Sequence, residues 1–329
     1  MNLRIVLTVL VGIFVAIAIF HSIMNWYPSN FDPMYTWSEY AKDKSNNPKI
    51  LIFGSSHTGV LDTDYIQGYV TENELEHEVY NLSRASDYPT RRSETIGYIT
   101  ELKPEMVLYG IDIRMFEGQP PVKQEQLTAL QISTIDSVMP NAKEFFEEIF
   151  FPLTNNDFFS KIPKSPKIVT LQTIKHFVRN SNETMELNID SNKPFFNLER
   201  KIGHVTDLKD LEKDWEEKNP KFFGLDSHNN REFDTLKKLI KELESKNIKV
   251  VIFATPKSSV YLNWLTAEDK IIFDQMFKEI EDSGTIVYSK YDMYENYNIW
   301  TDVAHVVENE SGIVYSKDIA KIIVTEIEK

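Results

Sequence analysis

Lys49-Ile50-Leu51-Ile52-Phe53-Gly54-Ser55-Ser56-His57-Thr58 decides how this chain is read. An apolar run of strand type stops at a glycine and two serines, and a helix-compatible segment, Val60 to Val70, follows. That order puts a serine hydroxyl at the carboxyl end of a strand, beside a helix start. In an open α/β sheet, ligands bind there. Near the other end of the chain stands Trp300-Thr301-Asp302-Val303-Ala304-His305. An Asp three residues before a His supplies a base and the group that orients it, so the two stretches together make a Ser-His-Asp hypothesis.

Outward from these stretches, strands and helices alternate. Lys49 to Phe53 reads as the first strand, Glu78 to Leu82 as the second and Met106 to Ile111 as the third. Ile248 to Ala254, stopped by Thr255-Pro256, reads as the fourth, and Thr285 to Ser289 as the fifth. Helical spacing covers Thr90 to Leu102, Phe233 to Lys246, Glu268 to Ser283 and Ser311 to Glu328. Leu236, Leu239, Ile240 and Leu243 share one face of the second of these. Strands apolar on both faces and separated by helices predict a parallel sheet covered on both sides. Between Arg114 and Arg231 the alternation is lost. That stretch, about 115–231, is too long for a plain loop. It reads as a helical insertion forming a cap or lid, with helices such as Lys143 to Phe150 and Pro166 to Val178.

The chain has 329 residues, with 36 Lys plus Arg against 50 Asp plus Glu, a formal charge of -14. No long basic patch offsets this, which argues against nucleic acid as a partner. There are 0 cysteines, so disulfides, thiolate catalysis and Cys-based metal sites are excluded. Ile5 to Phe20 is apolar except for Thr8, and the apolar character runs on through Trp26. Twenty helical residues span about 30 Å, the thickness of a bilayer's hydrocarbon. Ala16-Ile17-Ala18 lies inside the apolar run rather than after it, which favours an uncleaved anchor over 1–26 against a signal peptide. Arg4 and the amino terminus favour a cytoplasmic N-terminus and an outside globular part, against Lys42, Lys44 and Lys49, which follow within about 25 residues of the span. Residues 27–48, broken by Pro28, Pro33 and Pro48, read as a tether before the globular 49–329.

Further polar blocks end the second and third strands: Asn81-Leu82-Ser83-Arg84 and Tyr109-Gly110-Ile111-Asp112. Strand ends one, two, three and five thus present polar groups to one cleft. Taken alone, Gly54-Ser55-Ser56 is a common turn tripeptide, and either serine could simply cap a helix. His57 reads as a cleft-lining side chain able to touch substrate. Arg84, Arg91, Arg92 and Arg114 could meet an anionic substrate, but such charges are more often solvated. Asp62 and Asp64 read as helix-start charges rather than metal ligands. Of the sequons at Asn81, Asn182 and Asn309, only Asn182 suits glycosylation.

The order Gly-Ser-Ser after strand one, Asn-Leu-Ser after strand two, Gly-Ile-Asp after strand three and Asp-x-x-His near the C-terminus resembles the SGNH/GDSL hydrolase superfamily. Within it, the chain is most similar to membrane-anchored members with Gly-Ser-Ser, such as the DltD-like proteins and the SGNH partners of membrane-bound O-acyltransferases. The likeness covers Lys49 to Ile113 and Lys249 onward, not the insertion. It implies a flavodoxin-like, doubly wound, five-stranded parallel sheet and a cofactor-free esterase or O-acyltransferase acting on acyl esters of cell-envelope glycans. It makes Ser56 the nucleophile, His305 the base and Asp302 its orienter. The N–H groups of Ser56 and Ser83 would form the oxyanion hole, and His57, Arg84 and Arg114 would line the substrate site. A membrane-bound O-acyltransferase is the implied partner. The superfamily usually has Gly where Ser83 stands, and an Asn donor where Asp112 stands. An ionised Asp112 accepts only, so a non-catalytic envelope assembly factor of the same fold is the rival reading.

Overall fold

Every residue of β1 (Lys49–Phe53) is buried. Neighbouring strand residues point to opposite faces, so a strand buried along its whole length is covered on both. The same holds for β3 (Met106–Ile111). These strands lie in a five-stranded parallel sheet with β2 (Glu78–Asn81), β4 (Lys249–Ala254) and β5 (Ile286–Tyr288), in the order β2-β1-β3-β4-β5. The predicted flavodoxin-like order is the one found. It makes the gap between β1 and β3 a switch point, where successive connections diverge and leave a crevice at the strands' carboxyl ends.

The computed structural model describes residues 33–117, 191–195, 203–218, 224–225 and 230–329, all within one compact unit. The anchor expected over 1–26, the helices expected at Lys143–Phe150 and Pro166–Val178, and Asn182 lie outside the described residues. Among the described residues no helix is long and apolar enough to cross a membrane.

The tether expected over 27–48 is corrected in its second half, which forms the helix α1 (Pro33–Lys44). Its Met34, Trp37 and Ala41 are buried, and Trp37 meets the Tyr80 ring edge-on at 5.3 Å. A polar, proline-flanked segment folds here because one turn-spaced row of side chains has a core to join. The helix expected at Val60–Val70 starts later, as α3 (Thr63–Glu72), and a short α2 (Ser56–Gly59) precedes it. Asp62 divides them by accepting from Tyr65 N–H as the N-cap of α3. Likewise Thr90–Leu102 divides into α4 (Pro89–Ser93) and α5 (Ile96–Leu102). Among the described residues the remaining α-helices are α6 (Leu208–Lys218), α7 (Arg231–Glu244), α8 (Ser259–Trp264), α9 (Ala267–Asp282) and α10 (Ile313–Ile327). In the pattern of packing, α3 lies on α10 and α4 on α7.

Two glycines bring α2 down onto the sheet. Gly54 has φ +148°, and a Cβ there would overlap the Thr58 side chain. A Cβ on Gly110 would lie 2.5 Å from Thr58 Oγ1 and 2.8 Å from the Phe253 ring. The turn after β1 and the middle of the sheet therefore interlock through Thr58.

Candidate active site

Ser56 opens α2, directly beyond the end of β1. Ser55 is the N-cap, its Oγ accepting from His57 N–H at 3.4 Å. This assigns the two serines different work: Ser55 holds the turn, and Ser56 is left facing the crevice.

His305 arrives from a loop after β5 closed like a small hairpin. Trp300 bridges Val306, Thr301 N–H donates to His305 O at 2.9 Å, and Val307 N–H donates to Ile299 O at 2.8 Å. Inside the loop, Asp302 accepts from the backbone N–H groups of Ala304 (2.9 Å) and His305 (2.8 Å). The same carboxylate faces His305 Nδ1, with both oxygens at 2.9 Å. His305 Nε2 stands 2.8 Å from Ser56 Oγ. The three residues expected to form a triad are thus brought together, within hydrogen-bond reach at each step.

Desolvation favours the neutral form of Asp302, but the bonds from the His305 ring and the two N–H groups outweigh it. The carboxyl is held well below the usual carboxylate range. An ionised Asp302 accepts the Nδ1 proton. Nε2 is then the bare nitrogen, which accepts from the Ser56 hydroxyl.

Asp112, just beyond β3, is no oxyanion donor. It is 2 % exposed and ion-paired to Lys257, with His57 Nδ1 at 3.1 Å and Thr255 Oγ1 at 3.3 Å. Its other oxygen accepts from Arg114 N–H at 2.7 Å. Burial opposes its charge, yet His57, Lys257 and that N–H hold it ionised far below the usual range. It has no proton to give. Ser83, beyond β2, has its N–H taken by Asn81 Oδ1 at 3.1 Å, while its hydroxyl is buried with no hydrogen-bond partner among the described residues. Asn81 itself is fully buried, and its Nδ2 donates to Thr58 O at 3.0 Å. Its role is therefore to join the second block to the first.

The arginines divide. The Arg92 guanidinium is buried on Asp87 and Leu82 O, with the Phe53 ring 4.3 Å away. Arg84 donates to the same Asp87 at 3.2 Å, leaving a buried Nε without a partner among the described residues. Arg114 is exposed, its Nε 3.5 Å from Glu117. Arg91 donates to Ala85 O. Asp64 accepts from Asn192 at 2.7 Å.

Sequence reasoning missed Lys257. It stands three residues beyond the end of β4, the one strand end not credited with a polar block. Its ammonium is 2 % exposed, and the Tyr261 ring lies 5.5 Å away. Lys257 N–H donates to Tyr291 O, and Ser258 Oγ to Val303 O at 2.6 Å. The block after β4 thereby grips the loop that carries Asp302 and His305. The signal available was a lysine at a strand's carboxyl end in a chain with an unexplained Asp at the neighbouring one.

No family model and no curated protein sequence matches the chain. Solved structures of similar shape include a psychrotrophic esterase from Pseudoalteromonas sp., 10% identical, with a TM-score of 0.41 over 86% of this chain and 100% of that one. A GDSL-like lipase from Bacteroides thetaiotaomicron is 9% identical, with a TM-score of 0.38 over 90% of this chain and 98% of that one. The periplasmic domain of a lipopolysaccharide acetyltransferase from Salmonella ser. Paratyphi A is 12% identical, with a TM-score of 0.37 over 90% of this chain and 99% of that one. At these identities and scores they stand as likenesses, and the reading of the site rests on its own geometry.

Proposed function

We propose that the chain is a membrane-anchored SGNH-like serine esterase or O-acyltransferase, acting outside the cytoplasm on acyl esters of cell-envelope glycans or related polymers. One observation carries the catalytic part: Ser56 Oγ lies 2.8 Å from His305 Nε2, with Asp302 behind the ring, at the crevice end of the sheet. Ser56 Oγ attacks the ester carbonyl as its proton passes to Nε2. The alcohol leaves with that proton, and the acyl group stays on Ser56. Nε2 then takes a proton from water or a sugar hydroxyl, which attacks the acyl-enzyme and releases acid or transferred ester. The N–H of Ser56, at the first position of α2, has no carbonyl within its helix to bond, so it is the donor this chain offers the oxyanion. The apolar 1–26 supports the anchor, and the resemblance to partners of membrane-bound O-acyltransferases supports an envelope substrate and such a partner.

A second reading is favoured by the donors that are spent. With Asp112 an acceptor and Ser83 N–H on Asn81, the oxyanion has less support than an acyl-transfer site ordinarily provides, and losing one donor typically costs about 10²–10³ in rate. On that reading the crevice binds a glycan or an acyltransferase without turnover. Release of p-nitrophenol from its acetate by the full chain in detergent separates the two. Catalysis predicts a rate that Ser56→Ala abolishes. A rate equal in wild type and variant would sink it.

A further inference from the structure

Behind the triad lies a second imidazole that the mechanism leaves unused. The His57 ring stacks on the His305 ring, with centroids 4.1 Å apart and planes within 6°. Its Nδ1 is 2.9 Å from Ser55 Oγ and 3.1 Å from Asp112 Oδ2. Its side chain is 12% exposed. We propose that His57, fixed by Ser55 and Asp112, is a positioning residue whose ring face supports the imidazolium that forms on His305 during acyl transfer. The proposal deepens the serine-esterase reading and rests on it.

An ionised Asp112 facing Nδ1 makes that nitrogen the protonated one. Alone, a buried carboxylate would also draw a second proton to the ring. Lys257 meets the same Asp112 oxygen, so the carboxylate's charge is already balanced. Burial, the nearby Lys257 and His305 itself all favour neutral His57, and Asp112 and Asp302 oppose them. The net direction is well below the ordinary histidine value. The groups facing the stacked pair are therefore Ser55 and Ser56 from the turn after β1, Asp112 from beyond β3, Lys257 from beyond β4, and Asp302 from beyond β5. A protonated His57 would repel a positive His305 at this spacing. A neutral ring instead offers its π face to the developing cation.

The test reads protonation and rate separately on the full chain. In wild type, the His57 Cε1–H resonance should stay flat from pH 7.5 to about 5.5. His57→Leu should lower kcat/KM about tenfold, mainly through kcat, and move the acidic limb of the pH profile down by about one pH unit. His57→Phe keeps an aromatic face and should recover most of both changes. A His57 that titrates within that window, an unmoved limb in the Leu variant, or a Phe variant no better than Leu would overturn the proposal. A flat His57 in a chain without ester turnover would count against the esterase reading while leaving the neutral stacked ring in place.

Discussion

At the scale of single residues, the site is two histidine–carboxylate pairs laid face to face. His305 faces Asp302 and reaches Ser56; His57 faces Asp112 and reaches Ser55. Their surroundings set them apart. Asp302 is about half exposed and bonded only to its own loop, whereas Asp112 is buried and balanced by Lys257. The first pair can accept and return a proton, and the second is held neutral. Asp302→Asn would keep the loop's shape but offer an amide N–H to Nδ1, moving the ring proton to Nε2. Ester turnover should then fall by about 10²–10⁴-fold. The pH sign follows from the depressed Asp302 carboxyl: it is ionised above that low value and protonates only as pH falls through it. Between pH 7 and 5 protonation of Asp302 should therefore add no second proton to an acidic limb of the kcat/KM profile. A two-proton limb in that window would contradict the assignment. Ser56, His305 and Asp302 were legible in the sequence because strand ends mark the crevice. Lys257 was not, since its partner lies across the sheet and only the β3–β4 neighbourhood makes the pairing.

At the scale of elements, legibility followed burial. β1 and β3 are apolar throughout because both faces are covered, and their limits were read to the residue. α7, with Phe233, Leu236, Leu239, Ile240 and Leu243 buried, carries a clean helical period. α1 carries no such signal. Its sequence is polar, and its place in the fold depends on Trp37, buried between Tyr80 and Phe195. Propensity and composition could not show this, because tertiary packing decided it. The later start of α3 was also hidden, since the capping Asp62 lies inside an otherwise helical pattern. Trp37→Ala should destabilise the fold by about 3–5 kcal/mol in urea unfolding, the usual cost of emptying a buried aromatic site. If Pro33–Lys44 were a tether, the same change would fall within about 0.5 kcal/mol.

At the scale of the whole molecule, the sheet order explains why residues more than 200 positions apart meet: Ser56 and His305 are 249 apart in sequence. All the strands are parallel, so every crossover returns to the same edge. Ser56, Ser83, Asp112, Lys257 and His305 all lie beyond carboxyl ends, and the β1/β3 switch point opens the crevice among them. This clustering was readable once alternation identified a parallel sheet. The supply of oxyanion donors was not, because it depends on which N–H groups neighbours such as Asn81 have already taken. The central claim is that this architecture activates Ser56. Labelling the full chain with a fluorophosphonate and mapping the adduct by mass spectrometry tests it most directly. The account predicts a single adduct on Ser56, slowed strongly by His305→Ala and absent from Ser56→Ala. An unlabelled wild-type chain, or an adduct on Ser55 with Ser56 untouched, would contradict it.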